Sequence, residues 1–191
     1  DWFDDSIGLV EASIGRMVPV MTSDMKGDNP LRVYVEEYDV LPVDKKAFKG
    51  EIPSIKNMVP YEPFGFYIQR KLYLHNMAHA LTSYLGKIKN NQFIWQACND
   101  VMINKFALRA LTESALAMSK EHQVDITMLL NHSEDLLYRF QNPSLGDTVD
   151  RVGRDTKRKL SPSDRMAGAV KMCEKNGVLP VYICVGLAAG F

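Results

Sequence analysis

Phe64-Gly-Phe-Tyr-Ile-Gln-Arg-Lys71-Leu-Tyr-Leu-His75-Asn76-Met-Ala-His79-Ala-Leu-Thr-Ser-Tyr-Leu-Gly86 is the stretch whose spacing decides the fold. Its apolar side chains at 68, 72, 73, 77, 80, 81 and 84 approach an i, i+4 stripe, which predicts a helix over 64–85 stopped by Gly86. The same period continues over 92–120, through Phe93, Trp95, Val101, Ile103, Phe106, Leu108, Leu111 and Leu116. Asp125 is placed to cap a third helix through Ile126, Leu129, Leu130, Leu136, Leu137 and Phe140, ended by Asn142-Pro143. A shorter helix is expected to start near Ser161-Pro162-Ser163-Asp164, and Pro180 to open a last apolar one. Residues 64–191 therefore read as a mainly α, multi-helix domain.

Towards the amino terminus the pattern changes. Residues 7–18 carry apolar side chains at helical spacing but include two glycines, so they read as a short helix or an irregular segment ending before Pro19. Thr22 to Pro30 is loop by composition. Leu31-Arg-Val-Tyr-Val-Glu-Glu-Tyr38 alternates and reads as a strand. Pro42, Gly50, Pro53, Pro60 and Pro63 make residues 41–63 a connecting region without long elements. The expectation is a small β-containing arm over 1–63, preceding the helical domain over 64–191.

Composition narrows the function. In 191 residues, 23 Lys+Arg balance 23 Asp+Glu, which excludes the overall basic bias of a typical nucleic-acid-binding domain. Cys98, Cys173 and Cys184 have no C-x-x-C spacing, so a disulfide framework or cysteine zinc site is not expected and a reducing, cytoplasmic setting is. The longest apolar run, Val178 to Phe191, is short of the roughly 18 residues that span a bilayer. The chain starts at Asp1 without Met and stops on that apolar run, as a fragment of a longer protein would.

Two groups of residues can carry chemistry. Lys71, Asn76 and His79 share one predicted helix; at about 100° per residue, His79 lies roughly 80° and Asn76 roughly 140° round from Lys71. The lysine stem can close such a gap, giving an amine, an amide and an imidazole on one broad face. That set suits proton abstraction from a hydroxyl: a desolvated lysine can act as base while amide and imidazole stabilise charge on oxygen. The same residues also fit a polar helix face with His79 bonded to its neighbours. His75 and His79 have an i, i+4 spacing but no H-E-x-x-H, so no metal site is expected. The second group runs from Arg151 through Arg154, Lys157, Arg158 and Lys159 to Arg165, six basic residues against two acids in fifteen positions. With a helix start expected near Ser161, it suits a phosphate or carboxylate, or it is a solvated charge run.

The motif K-x4-N-x2-H formed by Lys71, Asn76 and His79 resembles the signature helix of the polyol-specific long-chain dehydrogenases. Arg139-Phe140-Gln141-Asn142-Pro143 is similar to that family's R-F-x-N-P segment. Asp147 to Arg154, with Arg158-Lys159-Leu160-Ser161 and Asp164-Arg165, is most similar to its mannitol 1-phosphate branch; Asn29-Pro30-Leu31 and Phe48-Lys49-Gly50 add weaker matches. The resemblance implies the helical, 6-phosphogluconate-dehydrogenase-like C-terminal domain of such enzymes. The Rossmann domain that holds NAD would lie outside this chain, where no G-x-G-x-x-G occurs. It implies Lys71 as general base, Asn76 and His79 as holders of the substrate oxygen, and no metal. Substrate contacts are expected among Arg139, Asn142, Arg151, Arg154, Arg158, Lys159 and Arg165. The implied reaction is mannitol 1-phosphate plus NAD to fructose 6-phosphate plus NADH, with a sugar-acid oxidoreductase of the same family or a non-catalytic helical module as alternatives. Neither nucleic acid nor membrane is an expected partner. Gly15-Arg16, where the family has Asp before Arg, and Ala78, where the phosphate branch has Gly, depart from the pattern.

Overall fold

The structure, a computed structural model, describes residues 2–191, and its contacts divide the chain into two compact units, Asp1–Lys71 and Leu72–Phe191.

The first unit has short helices α1 (Trp2–Ser6) and α2 (Ser23–Lys26), strands β1 (Leu41–Asp44) and β2 (Met58–Tyr61), and helix α3 (Gly65–Arg70). The one-turn α2 lies where a loop was expected; the Thr22 hydroxyl caps it by accepting from Met25 N–H. Residues 7–18 are irregular and meet β1 through an antiparallel bridge between Ala12 and Val43. The strands pair in parallel, Leu41 with Met58 through Asp44 with Tyr61. They lie in the region expected to lack long elements, and are only four residues each.

The strand expected over 31–38 does not form. That segment joins no ladder among the described residues, and Leu31, Val33 and Val35 stay exposed. Alternation is a necessary property of a half-buried strand but supplies neither a pairing edge nor a face to cover it. Core formation instead falls to Val43 and an aromatic cluster: Tyr61 packs edge-on to Tyr67 at 5.0 Å between ring centroids, Phe66 edge-on to Tyr67 at 5.1 Å, and Arg70 sits over the Tyr67 ring at 4.5 Å.

The second unit is helical, as its periodicity predicts. A π-helical turn, Lys71–Asn76, leads into α4 (Met77–Ile88). Next come α5 (Ile94–Asn99), α6 (Val101–His122), α7 (Ile126–Phe140), α8 (Val149–Gly153), α9 (Thr156–Lys159), α10 (Ala167–Lys175) and α11 (Val181–Ala189). Helix α4 packs against α5, α6, α8 and α11, while α6 packs against α7 and α10. Leu74, Met77, Leu81, Leu111, Met118, Leu136 and Ile183 are fully buried between them, each contributing roughly 1.5–3 kcal/mol.

Several boundaries differ from those the spacing predicts. Gly86 does not stop α4, which runs on to Ile88. It is buried, and a Cβ there would lie 2.8 Å from that of Ala97 and 3.2 Å from Val149 Cγ2; its small size serves close packing. The helix expected over 92–120 is two helices. Asp100 breaks it, its carboxylate accepting from Met102 N–H (2.9 Å) and Ile103 N–H (3.1 Å) as the cap of α6. No helix starts at Ser161-Pro162; 160–166 are turns, and α10 begins at Ala167. Asp125 caps α7 through Thr127 N–H at 2.9 Å, and Pro180 precedes α11, both as expected.

Candidate functional site

The π turn begins at Lys71 and ends at Asn76. In an i→i+5 ladder each turn takes in more residues than in a regular α-helix, so the roughly 140° separation of Lys71 and Asn76 expected there is reduced. Three further residues at about 100° each bring His79 to within about 60° of Asn76. Amine, amide and imidazole therefore share a narrower face than the sequence implies. A side-chain insertion accompanies the turn: the Ser114 hydroxyl of α6 donates to the Tyr73 carbonyl oxygen at 2.7 Å, engaging a main-chain acceptor inside the turn.

His79 is held closely by its neighbours. Its ring stacks on Phe140 of α7, centroids 4.7 Å apart and planes 18° from parallel. His75 stands edge-on to both rings, at 6.1 Å from His79 and 5.5 Å from Phe140. Burial, reinforced by the positive charges of Arg151, Lys159 and Arg165, lowers the His79 pKa from 6.5 to about 3. The imidazole is thus neutral near pH 7. Its Nε2 lies 3.7 Å from Asp147 Oδ2, which is not an ion pair with a neutral ring and is beyond hydrogen-bond reach. Asp147, itself buried, pairs with the Arg151 guanidinium.

The basic block is less free than its composition suggests. Arg158 pairs with Asp155 at 2.6 Å and Asp164 at 3.1 Å; Arg165 pairs with Asp164 at 2.8 Å. Lys159, only 7% exposed, donates to the Val152 carbonyl oxygen at 2.5 Å. Arg154 donates from Nε to the Arg151 carbonyl oxygen and lines a separate cleft of about 360 Å³ with Ser83, Tyr84, Lys87, Asp150 and Phe191. The helix N-terminus expected to face an anion near Ser161 is absent. Arg151, Lys159 and Arg165 remain the basic residues whose fields reach His79.

The R-F-x-N-P segment has identifiable structural work. Arg139 is buried and pairs with Asp135 at 3.3 Å, and Asn142 Oδ1 accepts from Ser144 N–H at 3.0 Å, capping a 3₁₀ turn over Pro143–Leu145. Phe140 between them supplies the surface under His79. Sequence reasoning left out Phe140 and Asp147 as site residues. In the sequence Phe140 reads as an apolar position of the third helix and Asp147 as the first residue of a family-like segment, outside the basic block that starts at Arg151; each lies inside a motif that signalled it. Among the described residues, no group of three or more His, Cys, Asp or Glu could hold a metal ion, and no helix is long and apolar enough to cross a membrane.

Comparison with known proteins adds to this geometry. Residues 64–191 match the family model described as the mannitol dehydrogenase C-terminal domain. The whole chain is 37% identical to a mannitol-1-phosphate 5-dehydrogenase of Thermoanaerobacter pseudethanolicus and covers 48% of it. It is 34% identical, again over its whole length, to a protein of the same name from Clostridium acetobutylicum, of which it covers 49%. The chain thus spans about half the length of these relatives. In structure it is similar to Pseudomonas fluorescens mannitol 2-dehydrogenase, solved in ternary complex with NAD and D-mannitol, with a TM-score of 0.75 at 20% identity, covering 100% of this chain and 40% of that one.

Proposed function

The chain belongs to the mannitol dehydrogenase family through its C-terminal domain, and from that premise we propose that it is the polyol-binding, proton-transferring part of an NAD-dependent hexitol phosphate dehydrogenase. The reaction would be mannitol 1-phosphate plus NAD to fructose 6-phosphate plus NADH, as the names of the relatives suggest. The observation that carries the reading is the π turn, which sets Lys71 and Asn76 on one face, followed by a neutral His79.

The chain's own residues do not fit a dinucleotide. The two-stranded sheet is joined through a 3₁₀ turn, Lys45–Ala47, instead of a crossover α-helix, and no glycine fingerprint follows either strand. NAD is therefore assigned to the other part of the longer protein, and the steps below concern only residues of this chain. In its unprotonated form the Lys71 amine takes the proton of the reacting hydroxyl and becomes an ammonium, while the oxygen keeps the bonding pair. Asn76 and His79 hold substrate oxygens, and Arg151, Lys159 and Arg165 supply the positive field for the phosphate. The ammonium formed at Lys71 offsets the charge left on oxygen, so proton removal needs no metal ion. The three cysteines are free thiols, in keeping with a cytoplasmic enzyme.

Lys71→Ala in the complete protein is expected to lower kcat by on the order of 100- to 10,000-fold while NAD still binds. Near-normal turnover would remove Lys71 as the base. Activity on mannitol 1-phosphate, mannitol and mannonate, measured side by side, tests the substrate; preference for mannonate would reassign the basic residues to a carboxylate.

A further inference from the structure

Asp147 has a position that the proton-transfer scheme does not use. Its main chain is pinned on both sides: Ile94 N–H donates to the Asp147 carbonyl oxygen at 2.9 Å, and Val149 N–H donates to the Gln92 carbonyl oxygen at 2.9 Å. Phe93 and Thr148 form an antiparallel bridge between these bonds. The side chain is 11% exposed and held by Arg151. Its location is therefore set by the protein and does not wait for a substrate. Facing it is the Nε2 edge of His79, whose ring plane is fixed by Phe140.

A neutral imidazole carries one N–H and one lone pair. A lone pair on Nε2 would face a carboxylate oxygen in a poorly solvated space, acceptor against acceptor, whereas an N–H there points its positive end at the carboxylate. No protein group bonds to Nδ1 among the described residues. From this juxtaposition we infer that Asp147 is a positioning residue that holds His79 as the Nε2–H tautomer, so that Nδ1 meets the substrate as a hydrogen-bond acceptor. His79 then takes a hydrogen bond from a polyol hydroxyl, and the donor to the oxygen that loses its proton is the Asn76 amide. Arg151 pairs with the Asp147 carboxylate and keeps it in place. The inference rests on Asn76 and His79 being the substrate-holding residues proposed above.

The test uses the complete protein. Ring ¹⁵N spectra near pH 7, with the His79 signals assigned by their loss in His79→Gln, should show the proton on Nε2; a proton on Nδ1 overturns the inference without recourse to any variant of Asp147. Asp147→Asn keeps the shape but offers Nε2 an amide donor as well as an acceptor. It is expected to shift the tautomer towards Nδ1–H and lower kcat for the polyol about 10- to 100-fold, with the KM for NAD unchanged. Asp147→Glu, which keeps the charge, should recover part of that loss. Turnover of Asp147→Asn within about twofold of wild type would remove the positioning role. Lys71→Ala separates the two readings: if it abolishes turnover while Asp147→Asn does not, only the positioning role fails. If Lys71→Ala turns over normally, the proposed function fails whatever the tautomer.

Discussion

Acid should destabilise this protein through His79, and the size of the effect follows from its surroundings. In the unfolded chain its imidazole takes a proton near pH 6.5. In the folded chain burial, with Arg151, Lys159 and Arg165 nearby, defers that proton to about pH 3. Between those values the unfolded state binds a proton that the folded state refuses. Stability is fully present above about pH 6.5 and is lost as pH falls towards the folded value, at up to about 1.4 kcal/mol per pH unit. At about pH 4.5, two units below the unfolded value, the deficit is about 2.7 kcal/mol. Urea unfolding of wild type and His79→Gln at about pH 7.5 and about pH 4.5, followed by circular dichroism, isolates this group, since other titrating residues cancel between the two proteins. The gap between the two stabilities should move by about 2.7 kcal/mol in favour of His79→Gln at the lower pH. Parallel pH dependence would mean that His79 protonates in the folded state near its ordinary value, and the lowering of its pKa by burial and the nearby cations would be refuted.

Two further substitutions test the packing that supports the site. Gly186→Ala would place a Cβ 2.7 Å from both Cγ and Cδ1 of Leu81 and 3.0 Å from Met166 Cε, so α11 and α4 must separate or Leu81 must move. A loss of about 1–3 kcal/mol in urea unfolding is expected, against no measurable change for Gly50→Ala, where a Cβ meets nothing within 4 Å. Ser114→Ala removes the donor to the Tyr73 carbonyl oxygen inside the π turn. It should cost about 1 kcal/mol of stability and lower polyol turnover more than NAD affinity; unchanged turnover would separate this bond from the geometry of the site.

What the sequence made legible was what local rules control. Asp125 announced α7, and Pro180 announced α11, because a capping carboxylate and a residue with a fixed φ act within a few positions of themselves. Asp100 was legible by the same rule, but the apolar period running across it masked the break. The π turn was not legible, since the hydroxyl that bonds within it lies forty-one residues away at Ser114. Gly86 looked like a helix stop because its real reason, contact with Ala97 and Val149, is tertiary. Segment 31–38 has strand chemistry without a partner, and no pattern within eight residues reports a partner. The trio Lys71, Asn76 and His79 was readable as a motif, whereas its environment was not. Counting charges from 151 to 165 stops just short of Asp147, and it does not show that Asp155 and Asp164 engage Arg158 and Arg165.

The stacking of His79 on Phe140 also gives the protein an internal reporter. A proton held over the face of a benzene ring is shielded by the ring current, so the His79 carbon-bound protons should resonate upfield of those of solvent-exposed imidazoles. At a centroid separation of 4.7 Å that shielding changes steeply with small displacements of either ring. A polyol that draws His79 away from Phe140 would register as a downfield movement of one resonance before any product forms. If the proposed site takes a polyol, its occupancy would be followed by proton magnetic resonance without a label or a chromophore.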